Sequence, residues 1–192
     1  MAASQLRLAT SQDASAIAEI YAPFVAATHV SFEERPPSAN DVAATLAAAH
    51  GIWPWIVCER ADGVVGFVYA SAHRPRAAYR FSVDTSCYVR ESARRTGVAR
   101  LAYGALFRTL AAQRYYNAFA GIALPNDASI AFHTNLGYRE IARFPSVGFK
   151  AGAWRDTVWL HRQLRALDTP PFEPRVLAAL DASEIAACLA IP

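Results

Sequence analysis

A strand-patterned run and a helix-patterned run, joined by Arg94-Arg95-Thr96-Gly97-Val98-Ala99, limit what this chain can fold into more than any other segment does. Over residues 81–89 the side chains alternate with the two-residue period of a β-strand. Val83, Thr85, Cys87 and Val89 take one face, and Ser82, Asp84, Ser86 and Tyr88 the other. Over residues 97–112 the spacing changes to three and four, so that Val98, Leu101, Ala102, Ala105, Leu106 and Leu110 share one helical face. Gly97 lets the backbone turn tightly between the two. The first turn of a helix leaves several N–H groups free, and its positive end together with Arg94 and Arg95 suits a doubly charged pyrophosphate. A blander reading of the same residues also stands: two arginines solvate the entry to a helix and Gly97 only turns the chain. The segment is not a Walker loop, because no Gly-Lys-Ser/Thr follows, and it is not the three-glycine dinucleotide fingerprint.

The flanking patterns extend this strand–loop–helix unit into one α/β domain. Residues 5–9 read as a short strand, followed by Thr10, Ser11 and Asp13 as N-cap types. Residues 14–25 carry Ile17, Ile20, Tyr21 and Phe24 at helical steps, and residues 38–50 read as a second helix closed by Gly51. The segments 53–59 and 64–71 are strands joined through Ala61-Asp62-Gly63, a strong hairpin signal. Residues 115–122 read as a strand and 126–136 as a helix capped by Asn126 or Asp127, with Gly137 beyond its end. Residues 138–149 and 155–164 complete the set as two strands. The order β-α-α-β-β-β-α-β-α-β-β predicts a mostly antiparallel mixed sheet flanked by about four helices. After residue 164 comes a tail with Pro170, Pro171 and Pro174 and a short helix around residues 176–189.

Composition excludes several classes of function. Of 192 residues, 54% are apolar and 18% charged, which permits a large core and rules out global disorder. No run of about 18 apolar residues exists to form a membrane span, and the N-terminus lacks a secretory h-region. Cys58, Cys87 and Cys188 are odd in number and unaccompanied by CxxC or a histidine pair, so neither a disulfide framework nor a metal site is expected and a reducing cytosol is the natural setting. The net charge is +3, and Lys150 is the lone lysine among 19 basic residues. The arginines are scattered rather than run together, so no nucleic-acid partner is indicated.

The Arg-Arg-Thr-Gly-Val-Ala loop resembles the acetyl-CoA pyrophosphate loop (Arg/Gln-x-x-Gly-x-Gly/Ala) of the GCN5-related N-acetyltransferase (GNAT) superfamily, whose element order is also the one above. Six further motifs resemble the phosphinothricin N-acetyltransferase family within it. They are Val30-Ser31-Phe32, Arg76-Ala77-Ala78-Tyr79, Val83-Asp84-Thr85-Ser86-Cys87-Tyr88-Val89, Gly121-Ile122-Ala123-Leu124-Pro125-Asn126-Asp127, Leu136-Gly137-Tyr138 and Gly148-Phe149-Lys150-x-Gly152-x-Trp154-x-Asp156. The resemblance implies an acetyltransferase domain over residues 1–164 with a tail over 165–192. It also implies direct transfer from acetyl-CoA to the α-amine of a small anionic amino-acid-like substrate, in a homodimer.

The resemblance further assigns roles residue by residue. Asp84 stands where the family has a glutamate that takes the amine's proton; being one methylene shorter, it favours a water relay. His133 matches the position of the acid that reprotonates the leaving thiolate, or a positioning group. Main-chain groups of Tyr88 and Val89 would run along the pantetheine. Arg94, Arg95, Thr96, Gly97, Val98 and Ala99 would hold the pyrophosphate, and Asn126 and Ser129 would meet the pantetheine arm. Phe32, Arg76 and Tyr79 match substrate-contacting positions, with Arg74, Arg76 and Arg80 as an exposed cluster the alternative. Trp154 matches the dimer and pocket mouth, with ordinary core the alternative. Transfer through Cys87 is disfavoured because its side chain has the opposite parity from Asp84. Enzymes acting on methionine sulfoximine or sulfone share most of these motifs, and a non-catalytic acyl-CoA-binding protein is the reading from a different class.

Overall fold

The computed structural model describes residues 4–191. Strands β1 (Gln5–Leu8), β2 (Trp55–Arg60), β3 (Gly63–Ala72), β4 (Ser82–Val89), β5 (Asn117–Ala123), β6 (Arg139–Lys150) and β7 (Ala153–Gln163) form one sheet in the order β1-β2-β3-β4-β5-β7-β6. Only the β4–β5 pair is parallel. Helices α1 (Ala14–Ala27) and α2 (Ala39–Ala49) precede β2. Helices α3 (Val98–Ala112) and α4 (Asp127–Asn135) follow β4 and β5, and α5 (Ala182–Leu189) lies in the tail.

The alternation of the strands builds two cores, one on each face of the sheet. Ile56, Cys58, Val83 and Val89 turn to the face covered by α3, where Tyr103, Leu106 and Leu110 are fully buried. Val57, Val64 and Phe67 turn the other way, against Ile17 and Ile20 of α1 and Val42 and Leu46 of α2. The tail belongs to the same packed body. Gln113 donates to the carbonyls of Ile52 (2.8 Å) and Arg175 (3.0 Å), and Arg80 pairs with Glu173 (2.7 and 2.5 Å). Leu177, Leu180 and Cys188 are buried.

Asp13 caps a 3-10 turn (Ser11–Asp13) by accepting the Thr10 N–H at 2.8 Å, and takes both amino groups of the Arg7 guanidinium at 2.8 and 2.7 Å. The Arg7 hydrogen bonds hold this carboxyl below the ordinary aspartate value against the opposing effect of burial. A carboxyl depressed in the folded state adds stability above its unfolded value, and that stability is lost as pH falls through the folded one. Asp13→Asn is therefore expected to cost about 1.5–3 kcal/mol at pH 7, with the deficit shrinking below about pH 4. Urea denaturation of both forms across pH checks this.

The feature that positions the site is where β4 and β5 part. Their pairing runs from Ser82↔Asn117 to Asp84↔Phe119 and stops. Beyond that point β4 stays paired with β3 as far as Gly66↔Val89, and β5 with β7 as far as Ala123↔Thr157. A wedge therefore opens between the two strands immediately after Asp84.

Candidate active site

At the wide end of the wedge lies the start of α3. Arg95 (φ 60°) and Gly97 (φ 88°) are both left-handed, and no side chain caps the helix. Leu101 donates to the Gly97 carbonyl at 3.0 Å, so the N–H groups of Val98, Ala99 and Arg100 are the open donors of the first turn. A Cβ built on Gly97 would meet no atom within 4 Å. Thr96 serves the loop itself: its hydroxyl donates to the Ala93 carbonyl at 2.7 Å and accepts from Arg60 at 2.8 Å. Arg94 turns inward, its guanidinium 4.9 Å from the Phe24 ring centre and its Nε 3.4 Å from the Val89 carbonyl. Open N–H donors, two arginines and unfilled space fit a pyrophosphate.

From there a cleft of about 510 Å³ runs down the wedge between Val89, Cys87 and Thr85 on one side and Ile122, Ala120, Asn126 and Ser129 on the other. The Arg90 N–H donates to the Val65 carbonyl at 2.8 Å. Antiparallel alternation then points the main-chain groups of Tyr88 and Ser86 at β3, and those of Thr85, Cys87 and Val89 into the wedge. This corrects the expectation for Tyr88: its main chain is spent on β3, and its ring packs against Tyr21, Phe24 and Phe67. Cys87 supplies backbone where its side chain is inert, since burial pushes the thiol up to about 12. Asn126 caps α4 by accepting the Ser129 N–H at 3.2 Å.

His133 lines the same cleft, yet both of its ring nitrogens are bound within the protein. Nδ1 lies 2.8 Å from the Ser129 carbonyl and must carry the proton there, so Nε2 accepts from the Tyr103 hydroxyl at 2.9 Å. Burial holds the imidazole below the ordinary histidine value. Both ring nitrogens are thus engaged within the protein, an arrangement that suits the positioning role more directly than delivery of a proton to a thiolate.

Asp84 sits at the point of the wedge and lines a second cleft of about 660 Å³, which shares Val30, Thr85, Ser86, Tyr88 and Gly121 with the first. Burial raises its carboxyl above the ordinary aspartate value, opposed by a hydrogen bond with His73. Phe32 forms part of the wall, where a Cβ at Gly148 would come within 2.4 Å of its ring. Lys150 donates to the Glu33 carbonyl, which ties the end of β6 to the Phe32 loop.

Of the three expected substrate contacts, only Phe32 faces this cleft. Arg76 precedes a 3-10 turn (Ala77–Tyr79) and, like Tyr79, is exposed and outside the cleft wall. The cationic residue in the wall is Arg74, whose guanidinium lies 5.1 Å from the Trp159 ring centre. Sequence reasoning missed His73 altogether; the signal was its place just past Ser71, the cross-strand partner of Asp84. Trp154 is no core residue, being 66% exposed. Among the described residues no group of three or more His, Cys, Asp or Glu is placed to hold a metal, and no helix is long and apolar enough to cross a membrane.

The model of the acetyltransferase (GNAT) domain family matches residues 6–159. A phosphinothricin N-acetyltransferase of Alcaligenes faecalis is 35% identical over 170 residues, 87% of this chain and 86% of its own. An L-methionine sulfoximine/L-methionine sulfone acetyltransferase of Pseudomonas paraeruginosa is 32% identical over 170 residues, 88% of this chain and 99% of its own. The crystal structure of a GNAT superfamily phosphinothricin acetyltransferase from Sinorhizobium meliloti in complex with acetyl-CoA superposes with a TM-score of 0.84 at 33% identity, covering 92% of this chain and 97% of that one. The chain thus belongs to the GNAT N-acetyltransferases, in the phosphinothricin N-acetyltransferase family, with acetyl-CoA as its acyl donor.

Proposed function

We propose that the chain acetylates the α-amine of a small, anionic, amino-acid-like substrate by direct transfer, with phosphinothricin-like and methionine sulfoximine-like amines the first to be tried. The observation that carries this reading is Asp84: a half-buried carboxylate at the apex of the wedge, where the cofactor cleft meets the second, aromatic-walled cleft. Acetyl-CoA supplies an acetyl thioester; everything else is the work of side chains and backbone. Open N–H groups at the start of α3, with Arg94 and Arg95, hold the pyrophosphate. The wedge-facing main chain of Cys87 and Val89, with Asn126 and Ser129 opposite, holds the extended arm. Arg74 and Phe32 hold the anionic substrate, and Asp84 takes the ammonium proton directly or through a water. His133 keeps α4 and the cleft wall in place through its two hydrogen bonds. A thiol at about 12 does not supply a thiolate near neutral pH, which supports direct transfer over a route through Cys87.

The test is thiol release from acetyl-CoA across phosphinothricin, methionine sulfoximine, methionine sulfone and a panel of natural α-amines. Turnover confined to anionic amino-acid-like amines bears the reading out. Tight acetyl-CoA binding with no turnover on any amine overturns it in favour of a binding protein.

Residues 1–164 make the acetyltransferase domain in this reading, with 165–192 as its extension, and three cysteines without a disulfide suit a reducing cytosol. Two copies pair through the β6–β7 hairpin, which exposes Ile141, Phe144, Val147, Phe149 and Trp154 beside the mouth of the Asp84 cleft. Trp154→Arg is expected to halve the mass seen by sedimentation equilibrium. A wild-type protein that sediments as a monomer removes the pairing from the proposal.

A further inference from the structure

His73 carries more structure than a loop histidine needs. Its ring lies nearly parallel to Phe119, with centres 4.2 Å apart and planes at 15°. It meets Trp159 and Tyr79 edge-on at 5.8 and 6.0 Å. Three aromatic rings thus fix its plane. In that plane Nδ1 lies 2.6 Å from Asp84 Oδ1. A carboxylate only accepts, so Nδ1 carries a proton, and Nε2 has no protein partner among the described residues. The His73 side chain is 11% exposed and that of Asp84 29%, so the histidine stands behind the carboxylate and the carboxylate stands at the cleft.

We propose that His73 is the positioning residue of the acetyl-transfer site, its Nδ1–H holding one oxygen of Asp84 so that the other is aimed into the cleft to receive the amine's proton. This rests on Asp84 being the proton acceptor. In the step itself an ammonium N–H bond breaks, its electron pair stays on nitrogen, and the proton bonds to the free Asp84 oxygen, directly or through a water. His73 remains the donor to Oδ1 throughout. The other titratable or charged groups around the pair are Arg74 in the same loop, Tyr79 on the following turn, Tyr69 on β3, Tyr138 just before β6, and His161 on β7 across Phe119.

Two variants test this. His73→Phe keeps a ring stacked on Phe119 and removes the donor. It should lower kcat roughly 10- to 100-fold, the scale of a misplaced reacting group, with KM for acetyl-CoA unchanged. The same variant should move the acid limb of the pH–kcat profile to higher pH, because the hydrogen bond that opposes the effect of burial on Asp84 is gone. His73→Asn keeps an N–H donor. It should retain kcat at pH 8 within about threefold, about 0.65 kcal/mol, with the acid limb close to that of the wild type. A merely structural histidine would leave that limb in place in both variants. The proposal is overturned by wild-type kcat in His73→Phe, by an unmoved acid limb in His73→Phe, or by equal damage in both. Should His73→Phe fail to fold by circular dichroism, His73→Leu takes its place in the comparison with His73→Asn. Asp84→Asn separates the two levels: activity retained there removes the general base itself, whereas activity lost there with an indifferent His73 removes only this inference.

Discussion

Asp84→Asn should lower kcat at pH 7 by roughly 10²- to 10⁴-fold, the usual contribution of a positioned general base, and should recover activity as the pH is raised. The substitution is nearly isosteric. An asparagine carbonyl can still accept the His73 Nδ1–H that now reaches Oδ1 at 2.6 Å, so the apex of the wedge keeps its shape. What is lost is the capacity to take a proton. The α-amine of a free amino acid, beside its own carboxylate, is almost wholly protonated at pH 7, and without a base only the small neutral fraction reacts. Each pH unit upward toward the amine's own value supplies more of it. The wild-type profile should bend in the opposite region. Burial raises the Asp84 carboxyl, so its active ionised form is lost on acidification at a higher pH than an exposed aspartate would show, the His73 bond opposing part of that shift. Initial rates of thiol release from pH 5.5 to 9.5 on both proteins check the two limbs together. Full activity of the variant at pH 7 would remove Asp84 from the chemistry.

What could be read in the chain before its structure divides by the range of the interaction. The parity of β4 is a local property, and the side chains fall as the alternation of Val83 through Val89 requires, with Cys87 and Asp84 on opposite faces. The Asp-Gly turn before β3 and the strand–loop–helix unit ending in α3 are local too. Partners set by register are not. His73 and Asp84 are eleven positions apart, and they meet because Ser71 pairs with Asp84 across the β3–β4 hairpin and the chain then curls over Phe119. No period in the sequence encodes that curl. The same loop decides that Arg74 rather than Arg76 enters the cleft wall, a matter of two residues that motif matching does not resolve. For His133 the missing knowledge was Tyr103: a histidine looks available until a buried hydroxyl occupies its second nitrogen. Likewise the main-chain groups of Cys87, not of Tyr88, face the wedge because of a hydrogen-bond phase that side-chain patterns do not carry.

Gly97→Val should raise KM for acetyl-CoA by about 10- to 100-fold whichever amine is acetylated, and should leave unfolding in urea nearly unchanged. No neighbour lies within 4 Å of the new Cβ, so the substitution does not overpack the fold. The cost comes from the backbone: at φ 88° a β-branched residue is a genuine outlier, worth on the order of 1–3 kcal/mol. The loop can relieve that strain by rotating Gly97, because Thr96 on one side is held through Ala93 and Arg60 while Gly97 is held through its carbonyl alone, which accepts the Leu101 N–H. Rotation reorients the first turn that carries the N–H groups of Val98, Ala99 and Arg100, and these are the donors aimed at the pyrophosphate. Strain is therefore exchanged for anion affinity, and the loss appears in cofactor binding. Gly97→Ala separates the two contributions. It adds a Cβ to the same open space without the second branch, and alanine pays less for a positive φ than valine does, so it should fall between wild type and Gly97→Val. Equilibrium binding of acetyl-CoA to the three proteins orders them. Wild-type affinity in Gly97→Val would mean that the first turn of α3 does not hold the pyrophosphate, whereas a loss of urea stability matching the loss of affinity would make Gly97 a residue of the fold rather than of the site.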